Sequence, residues 1–247
     1  MPDIQFDDIE LAALYDAFNP RDLTGDFAFY LPSIVAADAV LDVGCGTGSL
    51  LHLARETGHT GRLCGLDPAE GMLARARRRT DVEWVHGDLS SARWEREFDL
   101  IVMTGHAFQV LLEDDELRVA LSAIRRALTP EGRFAFETRN PQARGWERWT
   151  PDNAWEITTD DGTFIRSWND AEPPDGEFVS FSTTFTSPSW DQPRRSRSTL
   201  RFLGADRLSE FLTEAGLAVD EQYGSWDRQP LTATSPEIIT FAKRVSE

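Results

Sequence analysis

Cysteine is nearly absent from the chain: Cys45 and Cys64 are the only two in 247 residues. Two thiols make neither a disulfide framework nor a zinc-binding spacing. A reducing cytoplasm is therefore the expected location, with no metal. Long apolar runs are missing as well. No stretch approaches the roughly 20 residues that a membrane span needs, and no basic-then-apolar leader is present. A soluble protein with no membrane partner is expected. Positive charge is scarce, with 25 Lys and Arg against 42 Asp and Glu and a formal net charge of −17. Duplex nucleic acid would be repelled by such a chain. The basic runs within 75–79 and 194–197 are short enough to be solvated faces. Small molecules remain as the expected partners, and the length suits one α/β core with an insertion.

What is present is organised around residues 40–48, Val40-Leu41-Asp42-Val43-Gly44-Cys45-Gly46-Thr47-Gly48. An apolar strand runs into a Gly-x-Gly-x-Gly turn, and Ser49-Leu50-Leu51-His52-Leu53-Ala54 begins a helix. Glycines there let a ligand approach the main chain, with helix-start N–H groups facing it. The spacing is one residue short of the Gly-x-Gly-x-x-Gly that cradles a dinucleotide pyrophosphate, which disfavours a dinucleotide oxidoreductase.

This segment, with Asp42 before the turn, resembles the first motif of the class I S-adenosylmethionine (SAM) dependent methyltransferases. The likeness continues in order through Gly65-Leu66-Asp67, Gly87-Asp88-Leu89, Phe98-Asp99-Leu100-Ile101-Val102 and Leu128-Thr129-Pro130-Glu131-Gly132. Two positions depart from the family pattern: Ala69 stands where Ser is common, and Glu131 where a second Gly is. The resemblance implies an α/β fold: a Rossmann-like seven-stranded sheet with helices on both faces and an antiparallel β insertion after strand 5. It also implies SAM as cofactor, S-adenosylhomocysteine (SAH) as product, and a small-molecule methyl acceptor of the kind used by bacterial enzymes.

The cofactor residues implied are Asp42, Gly44, Cys45, Gly46 and Gly48 of the turn, then Asp67, Pro68 and Met72, then Gly87, Asp88 and Leu89, then Thr104 and Gly105. Asp67 would take the ribose hydroxyls, although Asp67-Pro68-Ala69-Glu70 is also a fair helix cap. Asp88 would accept from the adenine amino group beside the apolar Leu89, or else start a turn before Ser90-Ser91. Tyr15 and Tyr30, on N-terminal helices over 4–18 and 26–36, would roof the cofactor or pack beneath it. Pro32 puts the continuity of the second helix in question.

Loops beyond the strand ends border the ligand in an open parallel sheet. That placement makes His106 and Glu137 the candidate catalytic groups for proton removal, with a purely structural or cofactor-binding His106 as the other reading. Phe108, Gln109, Arg139 and Asn140 are acceptor-side candidates. Phe108 and Gln109 would otherwise pack at a helix start, and Arg139 would otherwise pair with Glu137. The core parses as 1–145. An antiparallel insertion follows over 146–203, with a hairpin turn at Asp160-Asp161-Gly162, and serves as an acceptor-side lid. Residues 204–247 supply a helix and the last two strands. Of the six tryptophans in or after the insertion, Trp146 and Trp149 are kept for an acceptor chamber, where they would suit a flat or cationic acceptor. The others are read as the core of a small sheet. A SAM-binding protein with a sensor or partner role is the rival function, and monomer and homodimer are both open.

Overall fold

A computed structural model describes residues 3–21, 23–159 and 161–245. Asp160 of the expected hairpin turn lies outside them. The strand expected at 40–43 is β1 (Ala39–Val43), and it sits mid-sheet. It is followed by α4 (Ser49–Glu56), β2 (Arg62–Asp67), α5 (Glu70–Ala76), β3 (Glu83–His86), β4 (Phe98–Met103), α6 (Asp114–Ala127) and β5 (Leu128–Arg139). At the chain's end come α7 (Ala205–Glu214), β10 (Leu217–Tyr223) and β11 (Glu237–Arg244). The seven strands lie in the order β10-β11-β5-β4-β1-β2-β3. Neighbours from β5 to β3 are parallel, and β11 runs antiparallel between β5 and β10.

Successive residues of a strand face opposite sides of a sheet, and two cores result. Leu41, Ile101, Phe134 and Phe136 join Leu117, Leu121 and Ile124 of α6 and Leu208 and Phe211 of α7 on one face. Val40, Leu100, Val102 and Phe241 meet Leu50 and Leu51 of α4 and Phe29, Tyr30 and Ile34 of α3 (Asp26–Ala36) on the other. Helices on both faces leave every central strand apolar on both sides, as the unbroken apolar runs required. Each buried Phe or Leu contributes roughly 1.5 to 3 kcal/mol against exposure.

The helix expected over 4–18 is two helices, α1 (Ile4–Asp7) and α2 (Ile9–Phe18). Asp8 divides them, because its Oδ1 accepts from the Glu10 and Leu11 N–H groups at 3.0 and 2.9 Å and caps α2. Pro32 lies inside α3 without ending it. The carbonyl that its missing N–H leaves free belongs to the exposed Ala28, within reach of water.

Between β5 and α7 stands a separate four-stranded antiparallel sheet of β6 (Trp155–Thr158), β7 (Phe164–Ala171), β8 (Phe178–Thr186) and β9 (Arg194–Arg201). It meets the first helices of the chain. Arg194 pairs with Glu10 at 2.5 Å, the Gln5 N–H donates to Ser196 Oγ at 3.3 Å, Ser198 donates to Asp3, and Phe18 meets Phe185 edge-on at 5.9 Å. The N-terminal helices and the small sheet together roof the C-terminal ends of β1, β2 and β4.

Candidate active site

A cavity of about 1350 Å³ lies under that roof. At one end is the glycine turn, stitched to the end of β2. Gly44 and Cys45 give their N–H groups to the Leu66 carbonyl at 2.8 and 3.2 Å, and the Gly46 N–H goes to Asp67 Oδ2 at 2.8 Å. Those three N–H groups are therefore consumed within the protein, whereas the helix start beyond them, at Ser49 and Leu50, lines the cavity. A Cβ on Gly46 would meet no atom within 4 Å, so the main chain there is bare to the cavity. Gly48 is glycine for a different reason. Its φ of +75° is left-handed and a Cβ would run into the Trp84 ring, so it packs behind the turn and is not among the cavity's walls.

Asp42, Cys45, Asp67, Pro68 and Met72 all line the cavity, as do Gly44, Gly87, Asp88, Leu89, Thr104 and Gly105. Asp67 borders the cavity and also braces the chain just before α5, whose N-cap is Ala69 and not Asp67. Its Oδ1 accepts from the Ala69 N–H at 2.8 Å at the start of α5, and the carboxylate still borders the cavity. Burial pushes its pKa up, and the two N–H donors oppose that shift. Asp88 likewise sits on the wall while its Oδ1 accepts from Ser90 and Ser91, which is the turn geometry. Asp42 is almost fully buried and its Oδ1 has no hydrogen-bond partner. Burial, with Asp67 and Glu137 adding like charge, pushes this carboxyl up to about 8.

Tyr15 lines the cavity from α2 and packs with Phe6 over Ala69 and Met72, and burial pushes its phenol up to about 12. Tyr30 does not reach the cavity. It is fully buried and donates its hydroxyl to Glu137 Oε2 at 2.6 Å. Glu137 is also set behind the wall: its Oε1 accepts from the His106 N–H at 2.9 Å, so both oxygens are engaged. Tyr30→Phe should leave a buried carboxyl oxygen unpartnered and lower unfolding free energy by roughly 1 to 3 kcal/mol. Denaturant midpoints would measure this, with SAH affinity unchanged.

His106 does line the cavity, in a left-handed backbone conformation with φ 62°. Its Nε2 lies 2.9 Å from Glu237 Oε2 at the start of β11. Burial pushes the ring's pKa down to about 3, with Arg139 nearby acting in the same direction, and burial pushes Glu237 up to about 7. Burial thus favours the neutral ring.

The acceptor-side candidates divide. Arg139 and Trp149 border the cavity, with the guanidinium 5.2 Å above the indole centroid. Phe108 does not: it stacks on Phe136 at 4.3 Å inside the core. Gln109 is buried and bridges, giving its amide to the Arg201 carbonyl at 3.0 Å and accepting from Arg139. Asn140 gives its amide to the carbonyls of Thr232 and Ser235 and caps Gln142, so it is a loop clamp. Trp146 packs edge-on to Phe202 at 4.7 Å, away from the cavity. Arg139 and Glu137 form no ion pair among the described residues, so the expected alternative pairing is absent.

Sequence reasoning missed several wall residues. Trp155, Ser167, Asn169, Phe181, Thr183 and Phe185 face the cavity from the small sheet. Their spacing of two along β7 and β8 was the available signal, since alternate residues share a face. Asp16 was missed as well: it accepts from Thr47 Oγ1 at 2.5 Å and pairs with Arg75 at 3.1 Å, pinning α2 to the turn.

The walls suit the ligand that the resemblance implies. A bare glycine main chain, a buried carboxylate at the end of β2 and an unpartnered Asp42 oxygen provide close approach and acceptors. Residues 40–132 match the family described as methyltransferase domain. The chain is 28% identical to cypemycin N-terminal methyltransferase from Streptomyces sp. over 226 residues, covering 83% of this chain and 82% of that one. Its fold is similar to that of the CcbJ methyltransferase from Streptomyces caelestis (TM-score 0.77, 21% identity, 98% of each chain). It is also similar to that of SAM-bound CalS10, an amino pentose methyltransferase from Micromonospora echinaspora (TM-score 0.70, 22% identity, 94% of this chain and 97% of that one). Motif order, sheet order and these matches agree: residues 40–132 match a methyltransferase domain, and the fold around them is similar to that of S-adenosylmethionine-dependent methyltransferases.

Proposed function

We propose that the enzyme methylates a nitrogen or oxygen of a small metabolite, with the small sheet acting as the acceptor-side lid. The observation that carries this reading is the length of the cavity. It continues past the glycine turn, Asp67 and Asp88 into a chamber walled by Trp149, Asn169, Phe181 and Thr183. SAM supplies a methyl group already activated on a sulfonium sulfur. What the chain must add is alignment and exclusion of water, and alignment alone can supply roughly 7 to 11 kcal/mol. Among relatives whose names specify an acceptor, an N-terminal methyltransferase and a dTDP-amino-sugar N,N-dimethyltransferase support nitrogen, and a malonyl acyl-carrier protein O-methyltransferase supports oxygen.

The proton that leaves the acceptor has a modest claim on the protein. Burial makes the His106 ring weakly basic, and Glu237 engages its Nε2, so it positions the wall more than it removes protons. His106→Gln should therefore change turnover at saturating acceptor by less than about tenfold, well short of the roughly 10² to 10⁴ fold of a general base. A larger loss, unrelieved by excess SAM, would restore it as the base.

Incubating the protein with methyl-labelled SAM and fractionated bacterial metabolites tests the function. Label should appear in a small molecule. Tight SAH binding with no transfer to any fraction would instead favour the sensor or partner role.

A further inference from the structure

The acceptor end of the cavity holds one interior cation. Arg139 ends β5, and its Nη1 donates to Gln109 Oε1 at 3.0 Å while its own backbone N–H reaches the same oxygen at 3.3 Å. Gln109 is fixed in turn by the Arg201 carbonyl in β9, and Trp149 lies beneath the guanidinium. The fork is therefore held from two sides before any ligand arrives. The carboxylates around it are committed elsewhere: Glu137 to Tyr30 and the His106 N–H, and Glu237 to the His106 ring. Among the described residues no carboxylate forms an ion pair with Arg139, in a chain with 42 acidic residues. The other arginine on the cavity wall, Arg197, is mostly exposed and paired with Glu172 at 2.9 Å.

Glu237 and Glu137 offset part of its charge without forming an ion pair with it, and a guanidinium in a partly dry wall gains further from a counter-charge placed on its fork. Its planar fork matches the two oxygens of a carboxylate or phosphate. We propose that Arg139 recognises an anionic group on the methyl acceptor, so that the acceptor is an amine or alcohol that also carries a carboxylate or phosphate. This rests on the reading of the chamber as the acceptor's. It also revises the expectation of a cationic acceptor, because the indole face that would have received a cation is already covered by one. Arg139 lies two strands from the β1 turn, with Trp149 of the chamber beneath its guanidinium.

The test is calorimetric titration of SAH-loaded protein with benzoate, phenyl phosphate and the neutral benzamide. At least one anion should bind about tenfold or more tightly than benzamide, as loss of a charge-assisted hydrogen bond would require. The stronger of the two tells carboxylate from phosphate. Arg139→Gln should abolish the preference and Arg139→Lys should keep part of it, with SAH affinity within about threefold of the parent in both. Equal binding of all three probes, no binding of any, a preference that survives Arg139→Gln, or a fall in SAH affinity in that variant would each overturn the inference. The two readings fail separately. Label transfer only to neutral acceptors leaves the methyltransferase reading and removes this one, whereas anion selectivity without transfer does the reverse.

Discussion

Asp67→Ala should bind SAH at least about 100-fold more weakly than the parent protein. An ionised carboxylate offers roughly four lone-pair positions, and the N–H groups of Gly46 and Ala69 take one on each oxygen. The remaining positions border the cavity, where the ribose hydroxyls are expected. Two hydrogen bonds to a charged acceptor, at roughly 1.5 to 3 kcal/mol each, amount to more than 100-fold. The ligand-free variant should also melt at a lower temperature, because the same carboxylate straps the glycine turn to the start of α5. Calorimetry and thermal melts separate the two effects. Unchanged SAH affinity beside a lower melting temperature would reduce Asp67 to a strap.

A second large effect concerns pH. The Asp42 carboxyl is pushed up to about 8 in the folded protein, against about 4 in an unfolded chain. Between those values the folded state holds a proton that the unfolded state has released. Stability from this group is therefore complete below pH 4 and declines as the pH rises through 8. At about 1.4 kcal/mol per unit, the window is worth several kcal/mol. Asn is nearly isosteric with the protonated acid and does not titrate. Asp42→Asn should accordingly match the parent near pH 4.5 and become progressively more stable than it toward pH 8.5. Glu237, pushed up to about 7, acts in the same direction in both proteins and cancels in the comparison. Denaturant midpoints at several pH values give the difference. A gap that stays constant over that range would show that Asp42 does not titrate there.

The core strands along the chain, the glycine turn and the carboxylate at the end of β2 were legible because each is local. An apolar run, a break and a helical period lie within a few residues of one another. What lies inside or outside the cavity at the strand ends was not local. Phe108, Gln109, Asn140 and Trp146 stand in the right loops yet turn into the core, into Arg201 or into the 232–235 loop, and a left-handed His106 decides part of that. The partner of His106, Glu237, is 131 residues away, a pairing that no periodicity announces. The small sheet lies between these cases. Its strands were readable, and the alternation that puts Ser167, Asn169, Phe181 and Thr183 on one face was there to be used.

The contacts between the first helices and the small sheet also set an order of assembly during synthesis. Gln5 and Ser196 are 191 positions apart. At about 5 to 20 residues per second the ribosome needs on the order of 10 to 40 seconds to bring the second after the first. By the time β5 has emerged, the glycine turn, Asp67 and the segment bearing Tyr15 have been made, before the small sheet begins. The outer edge of β5 then waits for β11, the last of this sheet's seven strands in chain order. An unpaired strand edge is a template for association with other chains, which makes the interval before residues 237–244 appear the vulnerable one in this protein's synthesis.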